Sequence, residues 1–403
     1  MSGREPVAGK APAATNLRAW QRTAIRNMIH FYRQAHIGYG VTSKPSVDLG
    51  HGIRAFSPLH PPIGSRVARR RVRSIVGNVT SSGAVPGQFS RTAPRTPHVA
   101  TIAITYACQC DCRHCSAEPL RKNGGNGALT FDELAGAIRQ TVDLGTTSVV
   151  LTGGEPLLHP RVCDLIRAVD ARRSLCTMFT NGEHLDEARV ARLKDAGLFG
   201  LFVSLDHATA AAHDRNRARP GLFDKAVQGL VNCRNAGIPT GISTYVTREK
   251  LDGEMDELMD LGRRLGVLEV FIFDVTPSGR LKEHADCVLT ESELAAVQKL
   301  RLRYHALPDY PRIIHQTMFS GMAYPCVAEG CPAAMVQLHL RANGDVTPCD
   351  FTPLSFGNVR ERPLAEIWRA MTTSDLYAGA SPRCRLSRPE FRAQLAELSC
   401  ATA

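Results

Sequence analysis

The sequence predicts an α/β protein built around an incomplete barrel, with an extension before the barrel and a small module after it. From residue 99 onward, apolar strand-like runs alternate with helix-like runs. This alternation is typical of right-handed βαβ units around a parallel sheet. The residues before this region are strongly basic and lack the alternation. After residue 310 a strand–turn–strand pattern surrounds Asn343 and Gly344, which indicates a hairpin.

Length and composition narrow the class of protein further. The 403 residues are enough to bury a large core in two or three domains. No run of about 18 uninterrupted apolar residues occurs, and the first residues lack the order of a secretory signal, so we expect a cytoplasmic protein. The chain has 13 cysteines. In a reducing compartment, clustered thiols are expected to bind metal rather than form disulfides.

Residues 1–75 are predicted to form a basic, partly helical extension, and residues 76–98 a linker. The first hundred residues contain 15 Lys and Arg against only Glu5 and Asp48, whereas the net charge of the whole chain is +11. Residues 16–33 have the pattern of an amphipathic helix, with Trp20 on the apolar face and arginines on another. A solvated arm, a helix packed on the barrel and a helix on an anionic membrane surface are all open. Nucleic-acid binding is the weakest hypothesis, because no aromatic-interleaved basic strand accompanies the charge.

The barrel is predicted over residues 99–308, as a partial (β/α)6 barrel. The expected strands are 99–107, 147–154, 174–182, 200–206, 240–247 and 269–277. The expected helices are 130–145, 160–173, 185–197, 222–237, 252–266 and 291–307. Reactive groups in such a barrel sit at the carboxyl ends of the strands.

Residues 309–403 are predicted to form a small separate module. Its hairpin spans residues 335–351 and is followed by a short helix at 363–371. The cysteines of this module that are candidates for metal binding are Cys326, Cys331, Cys349 and Cys384.

A dense cysteine motif follows the first barrel strand, at Cys108-x3-Cys112-x2-Cys115. A zinc site normally uses four ligands in two spaced pairs, but here three thiols have a suitable spacing and Cys110 is out of step. Three thiols on a [4Fe–4S] cluster would leave one iron open to a substrate or cosubstrate. The spacing fits that arrangement.

On this motif the chain resembles the radical S-adenosylmethionine (SAM) enzymes. Further resemblance comes from TGGEP at 152–156, TNG at 180–182 and VSLD at 203–206. It implies that Cys108, Cys112 and Cys115 bind the cluster. It also implies that residues of these motifs contact SAM, with Glu155 suited to the ammonium group. The implied contacts are Gly153, Gly154, Glu155, Pro156, Asn181, Ser204, Asp206 and Arg217. Arg215 competes with Arg217, and the fifth strand departs from the family pattern, which leaves contacts from Ser243 or Thr244 open.

The resemblance implies reductive cleavage of SAM to a 5′-deoxyadenosyl radical, with electrons from a flavodoxin- or ferredoxin-like donor. The radical would abstract hydrogen from a peptide or a small natural-product or cofactor precursor, giving an oxidation, a crosslink or an epimerisation. A lipid or tetrapyrrole precursor at the membrane surface is an alternative. A non-catalytic iron–sulfur electron-transfer protein is the alternative from another class.

The C-terminal module resembles the SPASM/twitch domains, through Cys331-x12-Gly344-x4-Cys349 and the tail FGN…EIW. The dense cysteine run of a full SPASM domain is missing, which favours the twitch form with one auxiliary [4Fe–4S] cluster. The implied ligands are Cys331, Cys349 and Cys384, with Cys326 as the fourth and Cys400 as its competitor. Asp350 is a further candidate, as a ligand or as a proton acceptor. A zinc ribbon remains an alternative for this module.

Overall fold

The computed structural model describes residues 44–80, 95–122, 127–317, 330–379 and 381–401. The amphipathic helix expected at 16–33 lies outside these residues, as do Cys326 and most of the expected linker. Among the described residues, no helix is both long and apolar enough to cross a membrane.

A nine-stranded sheet forms the barrel. Six of its strands match the predicted ones: β3 (Val99–Ala103), β4 (Ser148–Thr152), β5 (Leu175–Thr180), β6 (Gly200–Ser204), β7 (Thr240–Val246) and β8 (Glu269–Asp274). Each pairs in parallel with the next along the chain. The predicted partial barrel is thereby confirmed.

Three further strands extend the sheet, of which two form the hairpin predicted at 335–351 and one is not predicted. They are β9 (Arg312–His315), β10 (Gln337–Leu340) and β11 (Val346–Thr347), and the strand order is β11-β10-β3-β4-β5-β6-β7-β8-β9. β10 runs parallel to β3, with Leu338 opposite Ala100. The hairpin of the C-terminal module therefore continues the barrel sheet instead of standing apart from it. Leu338 and Leu340 are fully buried, and a free four-residue strand could not have buried them.

Helices cover the outer face of the sheet, because parallel strands are apolar on both faces. The longer helices of the barrel are α3 (Phe131–Asp143), α5 (Glu187–Asp195), α7 (Leu222–Asn235), α8 (Glu254–Leu265) and α9 (Glu291–His305). The shorter ones are α2 (Glu118–Lys122), α4 (Val162–Arg167) and α6 (Ala210–Arg217), and α10 (Leu364–Thr373) and α11 (Pro389–Ala401) follow β11. α3 begins at a capping box in which Thr130 and Glu133 bond each other's backbone N–H groups.

The part of the N-terminal extension that the structure describes forms the floor of the barrel. It contains two short strands, β1 (Val47–Asp48) and β2 (Arg54–Ala55), and helix α1 (Arg66–Thr80). The carbonyl of Pro58 accepts a hydrogen bond of 2.9 Å from Thr177 Oγ1, and that of Leu59 accepts one of 2.8 Å from Ser148 Oγ. Both donors lie near the amino ends of their strands. Leu59 joins the apolar cluster inside the barrel.

The basic residues at 66–73 also help to attach this floor to the barrel strands. Arg71 is 4% exposed and donates to Thr147 Oγ1 at 2.6 Å and to Ser148 Oγ at 2.7 Å. Arg70 donates to the carbonyls of Val142 and Arg173. This part of the extension is therefore packed structure, and the hypothesis of a solvated arm is wrong for it. Since α1 continues to Thr80, the linker predicted to begin at residue 76 begins no earlier than residue 81.

Candidate functional site

A single cavity of about 310 Å³ opens at the carboxyl ends of the barrel strands. Its wall contains two separate sets of thiols, Cys108, Cys112 and Cys115 in one and Cys331, Cys349 and Cys384 in the other. We call these the loop thiols and the assembled thiols. The cavity wall also contains most of the residues that the sequence predicts to contact SAM, namely Gly153, Gly154, Asn181, Ser204, Asp206 and Arg217.

Cys110 lies among the loop thiols, and its side chain favours the metal-binding form of two of them. Cys110 is 1% exposed and does not line the cavity, and Asn181 Nδ2 lies 3.5 Å from its sulfur. Hydrogen bonding to the Cys110 side chain lowers the pKa of Cys108 to about 7 and also lowers the pKa of Cys112. The thiolate is the form of cysteine that binds metals. Three cysteines free of disulfides, two of them with lowered pKa, fit the ligand set of a cluster.

Neighbouring elements fix the shape of the cysteine loop. The backbone N–H groups of Asp111 and Arg113 donate to the last carbonyls of α6, at 3.0 and 3.1 Å. Arg280 donates from its backbone N–H to the carbonyl of Cys115 at 3.0 Å, and its side chain pairs with Asp111. Arg121 of α2 donates to the carbonyls of Cys108 and Cys110, and its Nη1 lies 3.6 Å from the sulfur of Cys115. Most of these contacts therefore hold the backbone of the loop and leave Cys108 Sγ and Cys112 Sγ untouched.

The two glycines of TGGEP allow β4 to run close beside the end of β3. The N–H of Gly154 donates to the carbonyl of Thr105 at 2.7 Å. A Cβ atom at Gly153 would lie 2.1 Å from that same oxygen, and one at Gly154 would lie 2.3 Å from the carbonyl oxygen of Ala107. Both positions therefore require glycine.

The structure places Glu155 behind the cavity wall. It is 1% exposed and is not part of the cavity wall. Its carboxylate accepts hydrogen bonds from the backbone N–H of Leu157 and Asn181 and from Thr180 Oγ1. The carboxylate therefore braces the ends of β4 and β5, and its contact with the SAM ammonium group stays a prediction. Pro156 is likewise buried behind the wall.

A buried ion pair stands at the end of β6. Arg217 Nε and Nη2 lie 2.7 and 2.9 Å from the two carboxylate oxygens of Asp206, and Asn216 Nδ2 lies 2.8 Å from one of them. Burial alone would raise the pKa of Asp206, but the guanidinium holds it far below its usual range. Arg215 is exposed, so Arg217 is the arginine of this segment that faces the cavity.

β7 adds residues whose placement the sequence left open. Ser243, Thr244 and Tyr245 all line the cavity, and the Tyr245 ring lies 4.3 Å from that of His114. Lys250 is 3% exposed and donates to the carbonyl of Tyr245 at 2.9 Å. Burial lowers the pKa of this lysine to about 8. No motif marks Lys250, so nothing in the sequence could have identified it.

The assembled thiols come from three places in the chain. Cys331 precedes β10, Cys349 follows β11, and Cys384 precedes α11. The N–H of Cys331 donates to the carbonyl of Ser381 at 2.8 Å, which joins two of these segments. Burial raises the pKa of Cys349 to about 12 and also raises that of Cys384. Cys326 and the side chain of Cys400 lie outside the described residues, so their competition for the fourth place is still open.

Two carboxylates accompany the assembled thiols in the cavity wall. Asp350 accepts from Thr101 Oγ1 at 2.9 Å and lies 3.2 Å from His339 Nδ1. Asp274, at the end of β8, lies 2.8 Å from Nε2 of the fully buried His315. The sequence singled out Asp350 but missed Asp274, whose only signal was its position at the carboxyl end of a predicted strand.

The tail FGN…EIW attaches helix α10 to the barrel. Trp368 of α10 is 2% exposed, and its indole N–H donates to the carbonyl of Arg95 at 2.6 Å. Arg360 pairs with Glu133 at the start of α3 at 2.6 Å.

In the parts of the chain that the structure describes, no three His, Cys, Asp or Glu side chains are placed to share one metal ion.

Solved structures with similar folds include peptide-bound and SAM-bound proteins. The chain matches SuiB of Streptococcus suis bound to the precursor peptide SuiA, with a TM-score of 0.57, 17% identity and coverage of 75% of this chain and 69% of that one. It also matches anSMEcpe with bound AdoMet, with a TM-score of 0.56, 16% identity and coverage of 74% and 94%.

Curated relatives are similar over most of their length. The AdoMet-dependent heme synthase of Nitratidesulfovibrio vulgaris is 28% identical over 305 residues, which is 70% of this chain and 83% of that protein. The PqqA peptide cyclase of Rhizobium meliloti is 27% identical over 302 residues, 73% of this chain and 80% of that protein.

Two family models match the chain in the regions described above. The model of the radical SAM superfamily matches residues 102–262, and that of the SPASM iron–sulfur cluster-binding domain matches residues 331–392. They cover the loop thiols and the assembled thiols respectively, and they set aside the zinc alternatives and the non-catalytic electron carrier. The chain therefore belongs to the radical SAM superfamily of enzymes, with SAM and a [4Fe–4S] cluster as cofactors and a C-terminal domain of the kind that binds auxiliary iron–sulfur clusters.

Proposed function

We propose that this enzyme uses SAM to remove a hydrogen atom from a carbon of a peptide or a small cofactor precursor held in the cavity. The observation that carries the proposal is the cavity itself, whose wall contains both the loop thiols and the assembled thiols. A substrate in it would contact both cofactor sites at once. Oxidation, crosslinking and epimerisation are all compatible with that placement.

Cys108, Cys112 and Cys115 are the proposed ligands of the SAM-binding cluster. When bound, this cluster and SAM supply the one-electron reduction, the C–S bond cleavage and the hydrogen-atom abstraction. Gly153 and Gly154 line the cavity, and backbone carbonyls of this TGGEP segment, with Glu155 and Pro156, are the proposed contacts of the SAM amino group. Further SAM contacts are proposed from Asn181, Ser204, Asp206 and Arg217, all of which line the cavity.

Cys331, Cys349 and Cys384 are the proposed ligands of one auxiliary cluster, with Cys326 as the fourth and Cys400 as its competitor. The first three line the same cavity as the loop thiols, which supports a role of this cluster close to the substrate. We keep residues 309–403 as the proposed unit that carries this cluster, although its hairpin pairs with the barrel sheet.

The interior of the cavity is suited to a reactive intermediate. Apolar side chains form its lower wall, among them Leu59, Phe179, Phe271 and Phe273. The Phe179 and Phe271 rings meet edge to face at 5.9 Å. Such a wall excludes water from the reacting carbon and accommodates the apolar body of an organic substrate.

Asp350 is the proposed acceptor of a substrate proton. Burial would raise its pKa, but His339 and Thr101 lower it below its ordinary value. The carboxylate is therefore ionised near neutral pH while still lining the cavity. A substrate that loses a proton along with its hydrogen atom would find an acceptor there.

The similarity to heme synthases favours a second candidate substrate, a tetrapyrrole precursor. The AdoMet-dependent heme synthases of two species are 28% and 29% identical to this chain, and an Fe-coproporphyrin III synthase is 26% identical. The PqqA peptide cyclases and SuiB support the peptide alternative. A flavodoxin- or ferredoxin-like protein is the proposed electron donor, and peripheral membrane contact through the extension stays a proposal.

Reduction with dithionite in the presence of SAM tests the chemistry. The wild-type enzyme is expected to release 5′-deoxyadenosine, and the Cys112→Ala variant to release none. Anaerobic protein should contain about eight iron atoms per chain if both sites hold cubanes. Incubation with Fe-coproporphyrin III, and separately with short peptides encoded beside the gene, followed by mass spectrometry, decides between the substrate classes. No 5′-deoxyadenosine from the wild type would refute the proposed function.

A further inference from the structure

Arg121 bridges both ends of the cysteine loop. It belongs to α2, and its guanidinium donates to the carbonyls of Cys108 and Cys110 at 3.3 and 2.6 Å. Its Nη1 also lies 3.6 Å from the sulfur of Cys115. Among the described residues, Arg121 is thus a cation whose charged group lies against the sulfur of a loop thiol.

The charge of Arg121 has a different environment from those of the other arginines at the loop. Arg217 is paired with Asp206, and Arg280 is paired with Asp111. Among the described residues, the ion pairs of α2 are those of Glu118, with Lys122 and Arg280, and none involves Arg121. Its positive charge is therefore directed at the cysteine loop rather than neutralised by a carboxylate.

Hydrogen bonds to ligand sulfurs and the net charge nearby set the reduction potential of an iron–sulfur cluster. Reduction adds one negative charge to the cluster and its thiolates. A guanidinium in contact with one thiolate stabilises that reduced form more than the oxidised form. We propose that Arg121 is a positioning residue that raises the midpoint potential of the SAM-binding cluster, so that a cellular one-electron donor can reduce it. The inference rests on the proposed ligand role of Cys115.

The test is a redox titration of the reconstituted holoenzyme, monitored by electron paramagnetic resonance. In Arg121→Gln, which removes the charge, we expect the reduced-to-oxidised ratio of the SAM-binding cluster at a fixed potential to fall about tenfold. For a one-electron couple, that change corresponds to about 59 mV. Arg121→Lys keeps the charge and should stay within about twofold of the wild type.

Two controls accompany this measurement. Lys122→Gln removes one positive charge from the neighbouring position of α2, where the side chain is 72% exposed, and it should leave the potential unchanged. The auxiliary cluster of the same protein is an internal reference and should not move in Arg121→Gln. If Arg121→Gln fails to load iron, the Arg121→Lys titration decides, and a tenfold fall in that variant overturns the proposal.

Arg121 also lines the cavity, so a role in binding the SAM carboxylate must be distinguished from the proposed one. An unchanged potential in Arg121→Gln, with iron content intact, overturns the inference. A raised SAM dissociation constant at unchanged potential overturns it as well and assigns Arg121 to SAM. Both results are read from variants of a wild-type enzyme that releases 5′-deoxyadenosine, so they leave the proposed function standing.

Discussion

The loop thiols and the assembled thiols face one cavity but are built in different ways. The loop thiols lie within eight residues of one another and keep their arrangement through backbone contacts with α6. The assembled thiols are spread over 54 positions, from Cys331 to Cys384, and reach one cavity through tertiary contacts such as the pairing of β10 with β3 and the hydrogen bond from Cys331 to Ser381. A local motif sets the first group, and tertiary packing sets the second.

Their electrostatic environments differ as well. Hydrogen bonding lowers the pKa of Cys108 and Cys112, whereas burial raises the pKa of Cys349 and Cys384. Cys108 and Cys112 are therefore closer to the ligand form before any metal arrives, whereas burial raises the pKa of the third loop thiol, Cys115. Cys349 and Cys384 depend on the metal itself to displace their protons. The comparison teaches that one enzyme can prepare two cluster sites to different extents.

The largest expected effect separates the two groups by function. Cys112→Ala should abolish 5′-deoxyadenosine release and lower iron from about eight to about four atoms per chain, because only the SAM-binding cluster is lost. Cys349→Ala should lower iron equally but retain SAM cleavage. Iron analysis and chromatography of the nucleoside measure both effects. Cys163→Ala, a change in α4 outside the cavity, is the control and should change neither quantity.

Loss of iron from both sites in either single variant would contradict the independence of the two groups. It would mean that folding around one cluster is required to form the other.

Substitutions at two glycines test the backbone beside the loop thiols and the backbone beside the assembled thiols. A Cβ at Gly154 would lie 2.3 Å from the carbonyl oxygen of Ala107, and one at Gly330 would lie 2.0 Å from that of Ser381. Gly154→Ala should weaken SAM binding at least about tenfold, or about 1.4 kcal/mol, while auxiliary iron stays. Gly330→Ala should lower auxiliary iron and spare SAM binding. Gly136→Ala on helix α3 would contact only the end of the Arg139 side chain, at an ordinary van der Waals distance of 3.9 Å, and is the control.

Equal losses of SAM binding in Gly154→Ala and Gly330→Ala would contradict the independence of the two groups of thiols. Calorimetric titration with SAM and iron analysis of both variants provide the measurements.

The ion pair beside the loop thiols is the next test. Asp206→Asn leaves the buried Arg217 without its carboxylate, which should lower the free energy of unfolding by about 3–5 kcal/mol. Thermal or denaturant unfolding measures this loss. Arg215→Lys, in the same helix but exposed, should change stability by less than about 0.5 kcal/mol. A similarly small loss in Asp206→Asn would show that the pair is not a structural support of the loop.

The smallest effect is a dependence on pH. Burial lowers the pKa of His213 to about 4, below its ordinary 6.5, so between these values the unfolded chain binds more protons than the folded one. The free energy of unfolding that depends on the neutral His213 ring is fully present above pH 6.5. It is lost as pH falls towards 4, by roughly 2 kcal/mol at pH 5. His213→Asn, which keeps an acceptor for the N–H of Asp206, should flatten the slope of stability between pH 5 and 6.5.

The exposed His284 provides the comparison for that slope. His284→Asn should leave it unchanged, because the ring of His284 is exposed to solvent. A slope that persists in His213→Asn would assign the acid sensitivity to other buried histidines, namely His114, whose pKa burial also lowers to about 4, or His98, whose pKa burial lowers as well.

Much of the fold could be predicted because hydrophobic period and turn residues are local properties. The six barrel strands, the placement of Cys108, Cys112 and Cys115 at a strand end, and the glycines of TGGEP all follow from residues near one another in the chain. The cavity-lining positions of Asn181, Ser204, Asp206 and Arg217 follow in turn, since the carboxyl ends of parallel strands meet at one edge.

Other features could not be predicted because they depend on distant partners. Glu155 has the residue type for an ammonium contact, but Thr180 and Asn181 occupy its oxygens. The basic block around Arg71 reads as a surface feature until strand ends 76 residues away accept its hydrogen bonds. A buried donor must find an acceptor wherever the fold supplies one, and no local pattern announces where that is.

By itself the sequence determined the barrel, the loop thiols and the chemistry that they imply, since each is encoded over a few consecutive residues. Only the tertiary structure decided that the hairpin joins the barrel sheet, that Leu59 closes the barrel from below, and that Cys331, Cys349 and Cys384 face the same cavity as the loop thiols. These outcomes depend on burying apolar strands and satisfying backbone groups across the whole chain, and such requirements are met only when all the elements pack together.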